Sequence, residues 1–235
     1  MDFALIRENL ARVREEIDHI RCTEGLSQEV RIIAVTKGHS VEAIAAAQAV
    51  GIEDIGENRI QEALEKRVTA ADLPVRWHLI GHLQSNKAKF VPGNFSVVHS
   101  LDTLKVAEAL ARALRRRSME GTAVEPLRAL LQVNVAGEEQ KSGCATDQAA
   151  ELAHRMAEMP ELRLEGLMTM APLDGGESTR RDVFSGLCKL RDRLVSNGLV
   201  LPELSMGMSG DFPAAVAEGA TMIRLGTALF GERQR

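Results

Sequence analysis

The stretch RIIAVTKGHSVEAIAAAQAVGIEDIGEN, residues 31–58, holds a complete strand, turn, helix and second strand. Ile32, Ile33, Ala34 and Val35 form a short apolar run without alternation, the pattern of a strand covered on both faces. VEAIAAAQAV then carries apolar residues at helical spacing, and residues 53–58 return to a strand pattern. Strands covered on both faces and joined by a helix belong to parallel sheets. The first strand ends on Lys37, which reads in two ways: as a solvated strand end whose ammonium reaches water, or as a reactive amine held at a sheet rim.

The same unit recurs along the chain. Strand-like runs fall at 31–37, 53–58, 75–81, 96–101, 128–134, 162–170, 203–209 and 222–230, separated by helical patterns such as RIQEALEKRV and DVFSGLCKLRDRLV. Asp102 and Thr146 stand where N-caps are expected, PAAVAEGA reads as a short helix, and APLDGGEST, residues 171–179, as a flexible loop. Eight β/α repeats predict a single α/β domain over residues 1–235, a closed (β/α)₈ TIM barrel preceded by a helix at residues 2–21. An open doubly wound sheet is the alternative.

Bulk composition narrows the function classes. With 45% apolar and 26% charged residues, the 235-residue chain has the make-up of a soluble globular protein. A net charge of −4 leaves no footprint for nucleic acid, and the run Arg115 to Arg117 sits in a helical pattern as a solvated end. No apolar run approaches bilayer length and the N-terminus is amphipathic and charged, so the expectation is a cytoplasmic protein with no membrane partner. Three widely spaced cysteines, Cys22, Cys144 and Cys188, are expected as free and mostly buried thiols, and six histidines show no metal-ligand spacing.

In a barrel, functional groups gather at the C-terminal ends of the strands. Those ends carry Lys37, Glu57, Asn58, His78, Gly81, Ser100, Asp102, Asn134, Met168, Thr169, Ser205, Ser209, Arg224 and Gly226. The last two strands, in LSMGMSGD and MIRLGTALFG, place Ser209, Gly210, Gly226 and Thr227 where backbone N–H groups can hold a phosphate, although glycines there also serve tight turns. Strand eight closes onto strand one, which sets this phosphate site beside Lys37. A ligand with an aldehyde and a phosphate on one ring fits both, and pyridoxal 5′-phosphate has that chemistry. Arg224 would then face the pyridine nitrogen and keep it unprotonated, since a proton there would meet a fixed cation.

Beyond this reading, AVTKGHS, GIEDIGENRIQEALEK, WHLIGHLQSNKAK, VHSLD, LLQVNVAGEEQKSG, LEGLMTM and LSMGMSGDFPAAVAEGATMIRLGTALFG resemble the pyridoxal phosphate homeostasis protein family, whose fold is similar to the barrel of bacterial alanine racemases. The resemblance implies that Lys37 forms the cofactor's Schiff base, that Arg224 faces the pyridine nitrogen, and that Ser209, Gly226 and Thr227 hold the phosphate. It implies Asn58 and Met168 at the ring, with His78 and Ser205 as neighbours on the same rim. Thr36 stands where the family more often has serine, Arg59 where it has an aromatic, and His82 where it has another residue; the last two bear on what docks over the cofactor.

The resemblance implies buffering or delivery of pyridoxal phosphate, with pyridoxal phosphate-dependent apoenzymes as partners, rather than turnover. The alternative is an amino-acid racemase or decarboxylase. A racemase needs two bases, and in alanine racemases the second is a tyrosine from a further domain. The 235 residues contain no tyrosine, and His78 or Cys144 would be the substitutes. A monomer is expected, because the racemase dimer depends on that further domain.

Overall fold

The computed structural model describes residues 3–121, 125–138, 140–172 and 174–232. Eight strands, β1 (Arg31–Val35), β2 (Asp54–Glu57), β3 (Arg76–Leu79), β4 (Val97–Leu101), β5 (Leu127–Gln132), β6 (Leu162–Met168), β7 (Glu203–Met208) and β8 (Met222–Leu225), close into a barrel in sequence order. All pairs are parallel, and closure comes from β1 against β8, with Ile33 opposite Arg224 and Ala34 opposite Leu225. The closed barrel, rather than the open sheet, is therefore the architecture.

Helices cover the outer face: α1 (Phe3–Thr23), α2 (Val41–Ala49), α3 (Ile60–Thr69), α4 (Leu104–Met119), α5 (Ala149–Ala157), α6 (Glu177–Ser196) and α7 (Phe212–Ala217), with a single turn, α8 (Thr227–Phe230), after β8. A 3₁₀ helix, Ser85–Phe90, follows β3. In α1 the residues Ile6, Leu10, Val13 and Ile17 recur at three or four positions and are all buried, the stripe that lets one helix face dock. Asn9 on the same stripe donates to the Leu229 carbonyl at 2.9 Å and pins α1 near α8.

Two cores result. The larger lies between the strands and the helices. The smaller lies inside the barrel and consists of Ile33, Leu130, Met168 and Met222, with Met170 against it. Close approach of β6 to β7 depends on Gly166, where a Cβ would stand 1.9 Å from the Glu203 carbonyl oxygen.

Several expectations need correction. The strand read as 222–230 stops at Leu225, because Gly226 (φ −111°, ψ −83°) breaks the ladder and Thr227–Phe230 forms a helical turn. The α4 cap is Thr103, whose hydroxyl accepts from the Val106 N–H at 3.4 Å, while Asp102 is buried instead. Thr146 lies in a turn before α5, whose cap position is Gln148. The loop read as 171–179 gives way to α6 at Glu177, and its Leu173 lies outside the described residues. Of the cysteines only Cys144 is buried; Cys22 is exposed and Cys188 half-buried. No helix among the described residues is long and apolar enough to cross a membrane.

Candidate functional site

A cavity of about 290 Å³ opens at the C-terminal end of the barrel, at the small end of the range for ligand sites. Its polar lining comes from Lys37 after β1, Asn58 after β2, Ser209 after β7, and Arg224, Gly226 and Thr227 from β8 and α8. Six of the eight residues singled out from the sequence thus meet in one place. The other two, Met168 and Ser205, do not line it. Both are buried, as is His78, with Met168 at the end of β6 opposite Ser205 on β7 and Met168 packed in the barrel's inner apolar cluster. Met170, two residues beyond Met168 on the same face, is the methionine that reaches the cavity.

Lys37 is exposed, and the backbone on either side of it is fixed. The buried Thr36 donates its hydroxyl to Glu57 Oε1 at 2.6 Å, and its carbonyl accepts from Lys66 Nζ at 2.7 Å. Gly38, at φ +70°, donates its N–H to Glu62 Oε1 at 2.6 Å. Lys66 Nζ joins the two carboxylates, at 2.7 Å from Glu57 Oε1 and 2.7 Å from Glu62 Oε1. Burial pushes the Glu57 carboxyl above its ordinary range against the pull of Lys66 and Thr36, and its Oε2 has no hydrogen-bond partner among the described residues. The outcome is a backbone tied down on both sides of an exposed amine. Sequence reading missed Glu62 and Lys66; their one signal was the i,i+4 acid–base pair, which ordinarily marks a solvated helix face.

Arg224 is only 4% exposed. It donates from Nη1 to Ser205 Oγ at 2.6 Å and from Nη2 to the Thr169 carbonyl at 2.9 Å. Among the described residues no carboxylate lies within ion-pair distance, and burial lowers its pKa to about 10, so it remains a cation at neutral pH. A buried cation lined up on a cavity without a direct counter-ion favours an electron-rich ligand atom.

The opposite chemistry is set out by Ser209. Its Oγ accepts from the Gly226 and Ala228 N–H groups, both at 3.1 Å. Asp211 Oδ1 accepts from the Met208 N–H at 2.5 Å and closes the turn that presents Ser209 and Gly210. The hydroxyl and the two amides thus converge at one corner of the cavity, groups of the kind that can hold an anion. Asn58 is held by a tight neighbour: a Cβ on Gly81 would stand 2.2 Å from the Asn58 carbonyl oxygen, and Ser100 Oγ donates to the Gly81 carbonyl at 2.6 Å.

The remaining motifs lie elsewhere. His82 Nδ1 stands 3.4 Å from Asp102 Oδ2, and Arg59 occupies the cap position of α3; neither lines the cavity. Lys87 and Lys89 lie on the 3₁₀ helix. Lys141 pairs with Glu138 at 2.8 Å, and Glu139 lies outside the described residues.

The family described as alanine racemase, N-terminal domain, matches residues 3–234. The pyridoxal phosphate homeostasis protein of Pseudomonas aeruginosa is 42% identical over 229 residues, covering 97% of this chain and 96% of that protein. The protein of the same name from Escherichia coli K12 is 37% identical over 233 residues, covering 97% of each. Among solved structures, PipY of Synechococcus elongatus PCC7942 with pyridoxal phosphate bound superposes with a TM-score of 0.83 at 36% identity, over 96% of this chain and all of that one. An alanine racemase of Clostridium difficile, at 14% identity and a TM-score of 0.76, shares the fold over 98% of this chain and 60% of its own length.

Proposed function

The chain belongs to the pyridoxal phosphate homeostasis protein family, which shares the alanine racemase N-terminal domain, and from that premise we propose that it holds pyridoxal 5′-phosphate reversibly as a Schiff base on Lys37. The observation that carries the reading is one cavity lined by an exposed lysine, a buried arginine with no carboxylate within ion-pair distance among the described residues, and a serine that gathers two backbone amides. When bound, the cofactor supplies an aldehyde carbon that condenses with a primary amine and releases one water.

This chain's own groups divide the remaining work. The Thr36 to Gly38 backbone, fixed by Glu57, Glu62 and Lys66, delivers the Lys37 amine to one place. Ser209, Gly226 and Thr227 would take the phosphate, exchanging the present serine–amide bonds for bonds to the dianion. Arg224 would donate to the ring nitrogen and, as a fixed cation, would oppose a proton there, so the ring would be a weaker electron sink. Asn58 and Met170 would bound the ring.

Racemisation gains no support from the residues around the cavity. The sequence contains no tyrosine. The two substitutes, His78 and Cys144, do not line the cavity, and burial pushes the Cys144 thiol up to about 12. The reading is therefore a carrier that limits the free aldehyde and passes it to apoenzymes. Adding pyridoxal phosphate to the wild type should give a yellow absorbance that Lys37→Ala lacks. Mixing the loaded protein with a pyridoxal phosphate-dependent apoenzyme should restore that enzyme's activity, whereas sustained racemisation or decarboxylation of added amino acids would replace the carrier reading by catalysis.

A further inference from the structure

Below the cavity an unbroken hydrogen-bonded line crosses the barrel interior from its floor. Arg76 donates to Asp54 from Nε and Nη2, each at 2.8 Å. Asp54 Oδ1 lies 2.8 Å from His78 Nε2, His78 Nδ1 lies 2.9 Å from His99 Nε2, and His99 Nδ1 lies 2.8 Å from Ser205 Oγ. Ser205 then meets Arg224 at 2.6 Å. His78, His99 and Ser205 have no exposed surface, so water supplies no substitute partner.

The proton positions along this line follow from its two ends. Arg224 can only donate, so Ser205 Oγ accepts and must send its own hydrogen to His99 Nδ1. His99 Nδ1 is then a bare lone pair, its proton sits on Nε2, and it donates to His78 Nδ1. The same step puts the His78 proton on Nε2, facing the Asp54 carboxylate. Every hydrogen bond is satisfied with both imidazoles neutral and every donor pointing toward Asp54. Reversing the line would demand an extra proton on His78 and leave the Ser205 hydrogen without an acceptor. Burial lowers both imidazole pKa values, and Arg76 and His78 hold the Asp54 carboxyl below the usual range, in keeping with that assignment.

We infer that Asp54, His78 and His99 are positioning residues for the cavity: they order the Ser205 lone pair that fixes Arg224, and so set from the barrel floor how the arginine meets a bound ring. Two of Arg224's five N–H groups are spent on Ser205 and Thr169, and the line decides which way the remainder point. The effect on the cofactor rests on the pyridoxal phosphate reading above; the ordering of Arg224 does not.

The test uses the full chain with nitrogen-15 labels on histidine and arginine, without and with pyridoxal phosphate. In the unliganded wild type both His78 and His99 should show the neutral, Nε2-protonated form, with Arg224 N–H signals resolved and slow to exchange. His99→Phe should move and broaden the Arg224 signals and weaken pyridoxal phosphate binding about tenfold, the scale of one lost charge-assisted bond. His99→Gln, which keeps one donor and one acceptor, should recover most of both. Leu130→Ala, inside the barrel but off the line, should lower stability and leave Arg224 unchanged. Nδ1-protonated histidines in the folded wild type, or wild-type Arg224 signals in His99→Phe, would overturn the inference. Failure of the wild type to bind pyridoxal phosphate would strike the cofactor reading alone, since the arginine and histidine signals are read without it.

Discussion

Thr36 and Gly38, on either side of Lys37, are both tied down by groups from α3, and a single ammonium, Lys66 Nζ, touches the Thr36 carbonyl, Glu57 and Glu62. Removing one partner of such a buried pair strands the other. Lys66→Met should therefore destabilise the protein by about 3–5 kcal/mol in urea unfolding, and a loss under 1 kcal/mol would show that these ties are ornamental. Gly81 is a second critical position, because an added methyl would collide with the Asn58 backbone. Gly81→Ala should cost about 2 kcal/mol or more through that forced shift and loosen the Asn58 side of the cavity. That Lys37, Ser209, Arg224 and Gly226 would meet in one cavity was legible in the sequence, because strand-end lysine, serine–glycine and Arg-x-Gly-Thr patterns stand at the ends of adjoining strands. Lys66 was not, since an i,i+4 carboxylate–lysine pair looks the same whether it faces solvent or a neighbouring carbonyl. Met168 and Met170 were likewise inseparable by type, as the face they share differs only in depth.

Among the elements, the end of β8 decides the proposed anion cradle. Hydrophobicity continues through Ala228, Leu229 and Phe230, which is why the sequence reads as one long strand, yet Gly226 turns the chain into α8 and aims two amides at Ser209. Ser209→Ala should cost about 1 kcal/mol of stability for the lost hydroxyl acceptor. It should also weaken binding of pyridoxal phosphate more than that of pyridoxal, which lacks the phosphate; equal weakening would remove the cradle assignment. The start of α4 offers a simpler comparison. Thr103→Ala should lower stability by about 1 kcal/mol as a lost N-cap. Asp102 and Thr103 are adjacent and both favoured at caps, so composition could not choose between them; burial of Asp102 beside His82 did.

The whole molecule was readable as a closed barrel because eight strand–helix repeats leave few other arrangements, and β8 against β1 completes it. Its interior was less readable. Periodicity shows that a residue is covered but not whether it faces helices or the barrel axis, so His78 and Ser205 were assigned to the rim although they form part of an inner polar line. That line gives the fold a pH dependence. His78 and His99 are neutral and buried with folded pKa values below 6.5, whereas the unfolded chain takes up protons near 6.5. Between the folded values and 6.5 the unfolded state binds more protons, so stability falls as pH is lowered through that window. The expected loss is on the order of 1 kcal/mol per histidine per pH unit. Glu57 and Asp102, raised by burial, act with the opposite sign, from 4.5 upward for Glu57 and from 3.8 upward for Asp102. Urea unfolding at pH 7.5 and 6.0 should show the histidine loss, smaller in His99→Gln, and the same loss in both proteins would mean that His99 is not held neutral.

The central claim, that Lys37 holds the cofactor, is tested most directly by reducing the pyridoxal phosphate-loaded protein with borohydride and sequencing the labelled peptide. One stable adduct is expected, on Lys37 within AVTKGHS, and none in Lys37→Ala. A label distributed over surface lysines, or placed on a single lysine other than Lys37, would contradict it.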